Sequence, residues 1–115
     1  MARVLIAEPY PEVRELLSLI VRRLGHSAVF QGDDLPGRVD VMLAEPAANG
    51  SLELAHTLRG LRPELPIVVV SFLPQPATWT ALAPAAYVLK PFTVVQLEAA
   101  VSAALGADRR TTAAA

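Results

Sequence analysis

The sequence predicts an open α/β fold on a mainly parallel sheet, because strand-like apolar runs alternate with helical stripes along the whole chain. Three of the runs also stop in the same way. Residues 3–7 end at Glu8-Pro9, residues 39–44 at Glu45-Pro46 and residues 86–89 at Lys90-Pro91. Apolar runs of that length, the second interrupted only by Asp40, suit strands buried on both faces, as parallel strands are, and the connections between them should be right-handed. With 115 residues, 53% of them hydrophobic, the chain fits one domain with a single core.

Each element follows in order. Arg3-Val4-Leu5-Ile6-Ala7 is the first strand. Val13, Leu16, Leu17, Ile20 and Leu24 then recur at helical spacing, with Pro11 suited to a first turn and Gly25 to a cap. Residues 27–30 make a short second strand. The turn formers of 31–37 leave no room for a full helix before the run at 39–44. Asn49-Gly50 makes a turn, and Leu54, Ala55, Leu58 and Leu61 mark a helix of about three turns that closes between Gly60 and Pro63. The β-branched run at 66–71 is the clearest strand. Pro74, Pro76 and Pro84 confine the next helix to residues 77–83. After the strand at 86–89, Val94, Leu97, Val101, Ala104 and Leu105 form the stripe of a last helix, expected to end at Gly106. Residues 1–106 thus make the domain, and 107–115, which lack an apolar anchor, are expected to be a flexible tail or a linker remnant.

Composition excludes several kinds of function. A formal charge of −1 gives no basic field for nucleic acid or an anionic membrane, and no run is long enough to span a bilayer. The absence of cysteine removes disulfides, thiolate metal sites and Cys nucleophiles, and it suits a cytoplasmic protein. His26 and His56 have no second ligand at metal spacing. No phosphate-binding glycine loop or nucleophile elbow occurs. Arg22-Arg23, Arg59 with Arg62, and Arg109-Arg110 lack interleaved aromatics and read as solvated faces.

In an open α/β sheet the functional crevice lies at the carboxyl ends of the strands. Those ends carry Glu8, Glu45, Ser71 and Lys90. Together with Pro11-Glu12-Val13-Arg14-Glu15-Leu16-Leu17, Asp40-Val41-Met42-Leu43-Ala44-Glu45, Pro66-Ile67-Val68-Val69-Val70-Ser71 and Tyr87-Val88-Leu89-Lys90-Pro91-Phe92, they make residues 3 to about 106 resemble the receiver domain of two-component response regulators. The most specific part is Tyr-x-x-Lys-Pro-Phe at 87–92. The resemblance implies a flavodoxin-like (CheY-like) three-layer sandwich with five parallel strands, here with its second helix shortened or missing. It also implies a third-strand aspartate that accepts a phosphoryl group, an acid pair that holds Mg²⁺, and a hydroxyl and a lysine that contact the phosphoryl group. An aromatic residue reports the state to partners. By position Glu45 stands at the phosphoacceptor, Glu8 at the first acid of the pair, Ser71 at the hydroxyl, Lys90 at the lysine and Tyr87 at the aromatic switch. A cis peptide before Pro91 is also implied.

Two departures decide the expected activity. Pro9 replaces the second acid and removes an oxygen donor from a cation that demands near-octahedral coordination, so no metal or other cofactor is expected beyond weak Mg²⁺ binding through Glu8 and Glu45. Glu45 is a methylene longer than aspartate, a shift of about an ångström, and displacement on that scale can cost roughly 10²-fold where catalysis is mostly positioning. The sequence therefore predicts a pseudo-receiver with no competent catalytic residue. It would signal through a protein partner or effector domain, with a fixed Glu45–Lys90 contact imitating the charge of an acyl phosphate, about −1.5 to −2. The alternatives are a phosphorylatable receiver in a phosphorelay, and a small flavodoxin-like binder or enzyme using Glu8, Glu45 and Lys90 for acid–base work.

Each of these residues also has a plainer reading. Glu8 can be a first-turn acid favoured by the helix dipole, Glu45 a solvated loop residue, and Ser71 an ordinary strand-end serine. The last helix carries one charge, Glu98, over 93–106, so Trp79, Val95 and Ala99 are candidates for a homodimer patch. The alternatives there are an alanine-rich helix merely tolerated in water, and a Trp79 that fills core.

Overall fold

The structure, a computed structural model, describes residues 1–34 and 37–114, with residues 107–114 by backbone alone. The elements run β1 (Arg3–Ala7), α1 (Pro11–Arg23), β2 (Ser27–Phe30), β3 (Val41–Ala44), α2 (Ser51–Leu61), β4 (Ile67–Ser71), α3 (Ala77–Thr80), β5 (Ala86–Leu89) and α4 (Val94–Ala114). All five strands pair in parallel in the order β2-β1-β3-β4-β5. The connection from β2 to β3 holds no helix among its described residues, as the turn-forming composition predicts.

Both faces of the sheet are covered, which is why its strands have no polar alternation. Val4 and Ile6, Val41 and Leu43, and Val68 and Val70 point to one side, where Leu17, Ile20 and Val21 of α1 meet Leu97 and Val101 of α4. Leu5, Met42, Ala44, Ile67 and Val69 point to the other, against Ala55 of α2 and Trp79 of α3. The inner strands β1, β3 and β4 are buried almost throughout, whereas the edge strands β2 and β5 are partly exposed.

Helix α1 ends as the glycine predicts. Gly25 adopts φ +87°, its N–H donates to the Arg22 carbonyl at 2.9 Å, and the His26 N–H reaches back to the Val21 carbonyl at 3.2 Å. A residue with a Cβ would be strained there.

Four expectations are corrected. Leu16 is 41% exposed, because the stripe that faces the sheet is Leu17, Ile20 and Val21 and a step of about 100° from Leu17 turns Leu16 off it. Trp79 is 2% exposed and packs against the sheet, so it fills the core beneath the short α3 and is no surface candidate. Arg59 and Arg62 are structural rather than solvated. Arg59 donates to the carbonyls of Leu65 and Leu82, and Arg62 to that of Val39, satisfying acceptors that lie outside the strands. Burial lowers the Arg59 pKa from its ordinary value. Finally, α4 runs through Gly106 to Ala114, since one glycine costs a helix only about 1 kcal/mol and does not force an end. The flexible tail expected over 107–115 falls on residues whose side chains, and at 115 the backbone too, lie outside those described.

Candidate functional site

The site forms where the strand order reverses, at the carboxyl ends of the neighbouring strands β1 and β3. Ala7 pairs with Ala44, and the Glu45 N–H donates to the Ala7 carbonyl at 2.8 Å, so Glu8 and Glu45 leave the sheet side by side. Each follows an alanine and precedes a proline. The local geometry repeats with the sequence: Glu8 Oε2 accepts the Tyr10 N–H at 3.3 Å, and Glu45 Oε2 accepts the Ala47 N–H at 3.2 Å. In both turns one carboxylate oxygen is held by the chain's own backbone two residues on.

The other oxygen of each pair meets Lys90. The Lys90 N–H donates to the Ser71 carbonyl at 2.8 Å, which fixes the residue at the end of β5, and the Lys90-Pro91 peptide is cis. Lys90 Nζ lies 2.6 Å from Glu8 Oε1 and 3.2 Å from Glu45 Oε1. The contact with Glu45 is a hydrogen bond, whereas that with Glu8 is a close ion pair without hydrogen-bond alignment. All three residues are 4% exposed. Two rings lie over the ammonium, Tyr10 with its centroid at 5.5 Å and Phe72 at 5.1 Å, within reach of cation–π attraction. Sequence reasoning missed both. The available signal was their position, Phe72 directly after Ser71 and Tyr10 two residues after Glu8.

Ser71 is buried nearby, and its Oγ accepts the Leu73 N–H at 3.2 Å. Tyr87 is partly exposed and its hydroxyl donates to the Leu73 carbonyl. The Leu73 residue is thus held from one side by Ser71 and from the other by Tyr87, which ties the β4–α3 loop to β5. Pro9 is exposed and offers no side-chain donor. On α4, Val95 is 72% exposed and Ala99 is exposed. A cleft of about 580 Å³ is lined by residues that include Tyr87, Leu89, Lys90, Gln96 and Ala99.

The receiver resemblance implies Mg²⁺, and these residues do not fit it. A hard cation needs several oxygen donors in near-octahedral array. Here each carboxylate has one oxygen on a backbone N–H and the other on an ammonium. Among the described residues no three of His, Cys, Asp and Glu gather as a metal-holding group. No described helix is long and apolar enough to cross a membrane.

No protein-family model matches the chain, and no curated protein does. Solved structures do. A CheY-like response regulator receiver domain protein from Methanospirillum hungatei JF-1 superposes with a TM-score of 0.83 at 15% identity, over 96% of this chain and 98% of that one. The response regulator TrrA from Thermotoga maritima, in complex with Mg²⁺ and beryllofluoride, gives 0.76 at 22% identity, over 91% of this chain and all of that one. NtrX from Brucella abortus, in complex with ADP, gives 0.83 at 20% identity, with 99% of this chain covering 28% of that one. The chain therefore has the fold of the response regulator receiver domains, a CheY-like, flavodoxin-like α/β sandwich.

Proposed function

We propose that this protein is a pseudo-receiver, a cytoplasmic interaction module of two-component-type signal transduction that does not relay phosphate. One observation carries the reading. The Lys90 ammonium is shared between Glu8 and Glu45 in a buried cluster, so the groups that a phosphoryl transfer would recruit are already engaged with one another. A domain built this way has one dominant arrangement and acts by being bound. The acid–base alternative needs substrate access to all three side chains. A cleft of about 240 Å³ near the site is bordered by Glu8 but by neither Glu45 nor Lys90, which favours the interaction reading.

The partner is a signalling protein or an effector domain, and the surface it meets is the outer side of α4 with the exposed edge strand β5. Val95, Ala99, Leu89 and Tyr87 supply apolar area there, and a second copy of the chain is one fitting occupant. Sedimentation over a concentration series reads that directly: self-association that Val95→Glu weakens supports the dimer, and a monomer at every concentration removes it.

Incubation with Mg²⁺ and a small acyl phosphate, followed by intact mass measurement, addresses the reading itself. The expected spectrum is unchanged. A stable gain of one phosphoryl group that disappears in Glu45→Gln would overturn the pseudo-receiver and leave the phosphorelay reading in its place.

A further inference from the structure

We infer that the open flank of α2 is the surface on which a second copy of this chain docks, each copy inserting Leu61 into a groove of the other about a two-fold axis. The inference goes beyond the pseudo-receiver reading and does not depend on it.

Leu54, Leu58 and Leu61 recur at i, i+4 and i+7 along one side of α2. In a sheet built from crossover units a neighbouring helix would cover such a stripe, yet the connection from β2 to β3 holds no helix among its described residues. Leu54 and Leu58 are consequently only half-buried. Leu61 is 81% exposed, more than any other large apolar side chain among the described residues except Met1. Beside it a groove of about 520 Å³ runs between α2 and residues 37–39, with Val39, Leu54, Leu58 and Leu65 in its lining. A protruding leucine and a leucine-lined hollow thus share one patch, and a two-fold axis through that patch sets each knob over the hollow of the other copy.

The rim favours a second copy over an unrelated helix. Arg62 Nη1 donates to the carbonyls of Val39 and Asp40 at 3.0 and 3.4 Å, and its Nε lies 3.6 Å from Glu64 Oε1. Arg38 is paired with Asp40 at 3.0 Å. The edge of the groove therefore carries each sign beside its opposite, which selects neither an acidic nor a basic partner. A two-fold copy matches such a rim by construction, because an axis beside Leu61 brings Arg62 of one chain toward Glu64 of the other and Glu64 toward Arg62 at the same time. Gly60 adds no bulk next to the stripe, and no atom lies within 4 Å of where its Cβ would stand, so a second backbone can approach. Helix α2 covers one side of the sheet and α4 the other, so this contact leaves the α4–β5 surface open to a signalling partner.

Sedimentation velocity over micromolar to millimolar concentrations compares the native chain with Leu61→Glu, Glu64→Lys and Val95→Glu. The native chain should dimerise, and Leu61→Glu should raise the dissociation constant at least about tenfold. Glu64→Lys, which sets like charges face to face, should weaken the dimer also, and more at low salt than at high. Val95→Glu should leave it within about twofold. Both Leu61 and Glu64 are exposed, so these variants keep the fold, and circular dichroism checks that they do. In a sample mixing isotope-labelled and unlabelled copies, filtered NOEs should join the Leu61 methyls of one copy to the Val39 and Leu58 methyls of the other. A monomer at every concentration overturns the inference. So does a dimer that Leu61→Glu leaves intact, or one whose filtered NOEs arise from Val95 and Leu89 instead of Leu61. A phosphoryl gain in the mass experiment removes the pseudo-receiver reading and leaves this contact standing.

Discussion

Glu8 and Glu45 occupy matched positions at the ends of adjacent strands, and each turns its Oε1 to the same Lys90 amine while its Oε2 accepts a backbone N–H two residues on. The trio carries two negative charges and one positive, all buried. That imbalance sets the order of its mutational costs.

Neutralising either acid leaves a balanced pair, and removing the amine leaves two unpaired anions. Lys90→Met should therefore lose about 3–5 kcal/mol of stability, the usual cost of stripping one partner from a buried ionic cluster. Glu8→Gln and Glu45→Gln should each cost less than about 2 kcal/mol, because the remaining carboxylate still pairs with the amine. Urea unfolding at neutral pH without divalent metal gives the three values. Glutamine variants as damaging as Lys90→Met would contradict a shared ammonium.

The two leucines of α1 at 16 and 17 should differ sharply. Leu17 is 1% exposed against the sheet, so Leu17→Ala is expected to cost about 2–5 kcal/mol. Leu16→Ala, on the open side, should stay within about 0.5 kcal/mol. Thermal melts of both variants are enough, and similar losses would place Leu16 in the core after all.

That contrast also shows what the sequence could and could not convey. The alternation of strands and helices, the strand ends at Glu8, Glu45, Ser71 and Lys90, and the lack of a helix among the described residues before β3 were all legible, since each depends on local pattern and turn chemistry. The facing of Leu16 was not, because a run of adjacent leucines satisfies more than one helical stripe. Trp79 was undecidable for a related reason: on a helix as short as Ala77–Thr80 no periodicity separates core from surface. The rings of Tyr10 and Phe72 over Lys90 arise from three loops that meet only once the sheet has formed. The carbonyls bound by Arg59 are equally non-local at Leu82.

Arg59 gives a further case. Arg59→Met keeps the aliphatic stem but leaves the Leu65 and Leu82 carbonyls without this donor, at a cost of about 1–3 kcal/mol. Chemical denaturation checks the value. Loss below about 0.5 kcal/mol would return Arg59 to the solvated surface.

Tyr87 should respond more mildly. Its hydroxyl donates to the Leu73 carbonyl, and Tyr87→Phe removes only that bond, expected to cost about 0.5–1.5 kcal/mol. Amide exchange should quicken at Leu73 while the strands β1 and β3 keep their protection. Uniform loss of protection across the sheet would instead make Tyr87 part of the core.

The most direct measurement is a ¹⁵N-resolved NMR titration of the native chain with Mg²⁺ and beryllofluoride, a mimic of a bound phosphoryl group. With Lys90 already shared by Glu8 and Glu45, the resonances of Glu8, Glu45, Ser71, Tyr87 and Lys90 should remain where they are as ligand is added in excess. Saturable shifts at those residues, extending along β5 to α4, would contradict the account, because they would mean that the amine can leave its carboxylates for a phosphoryl-like ligand.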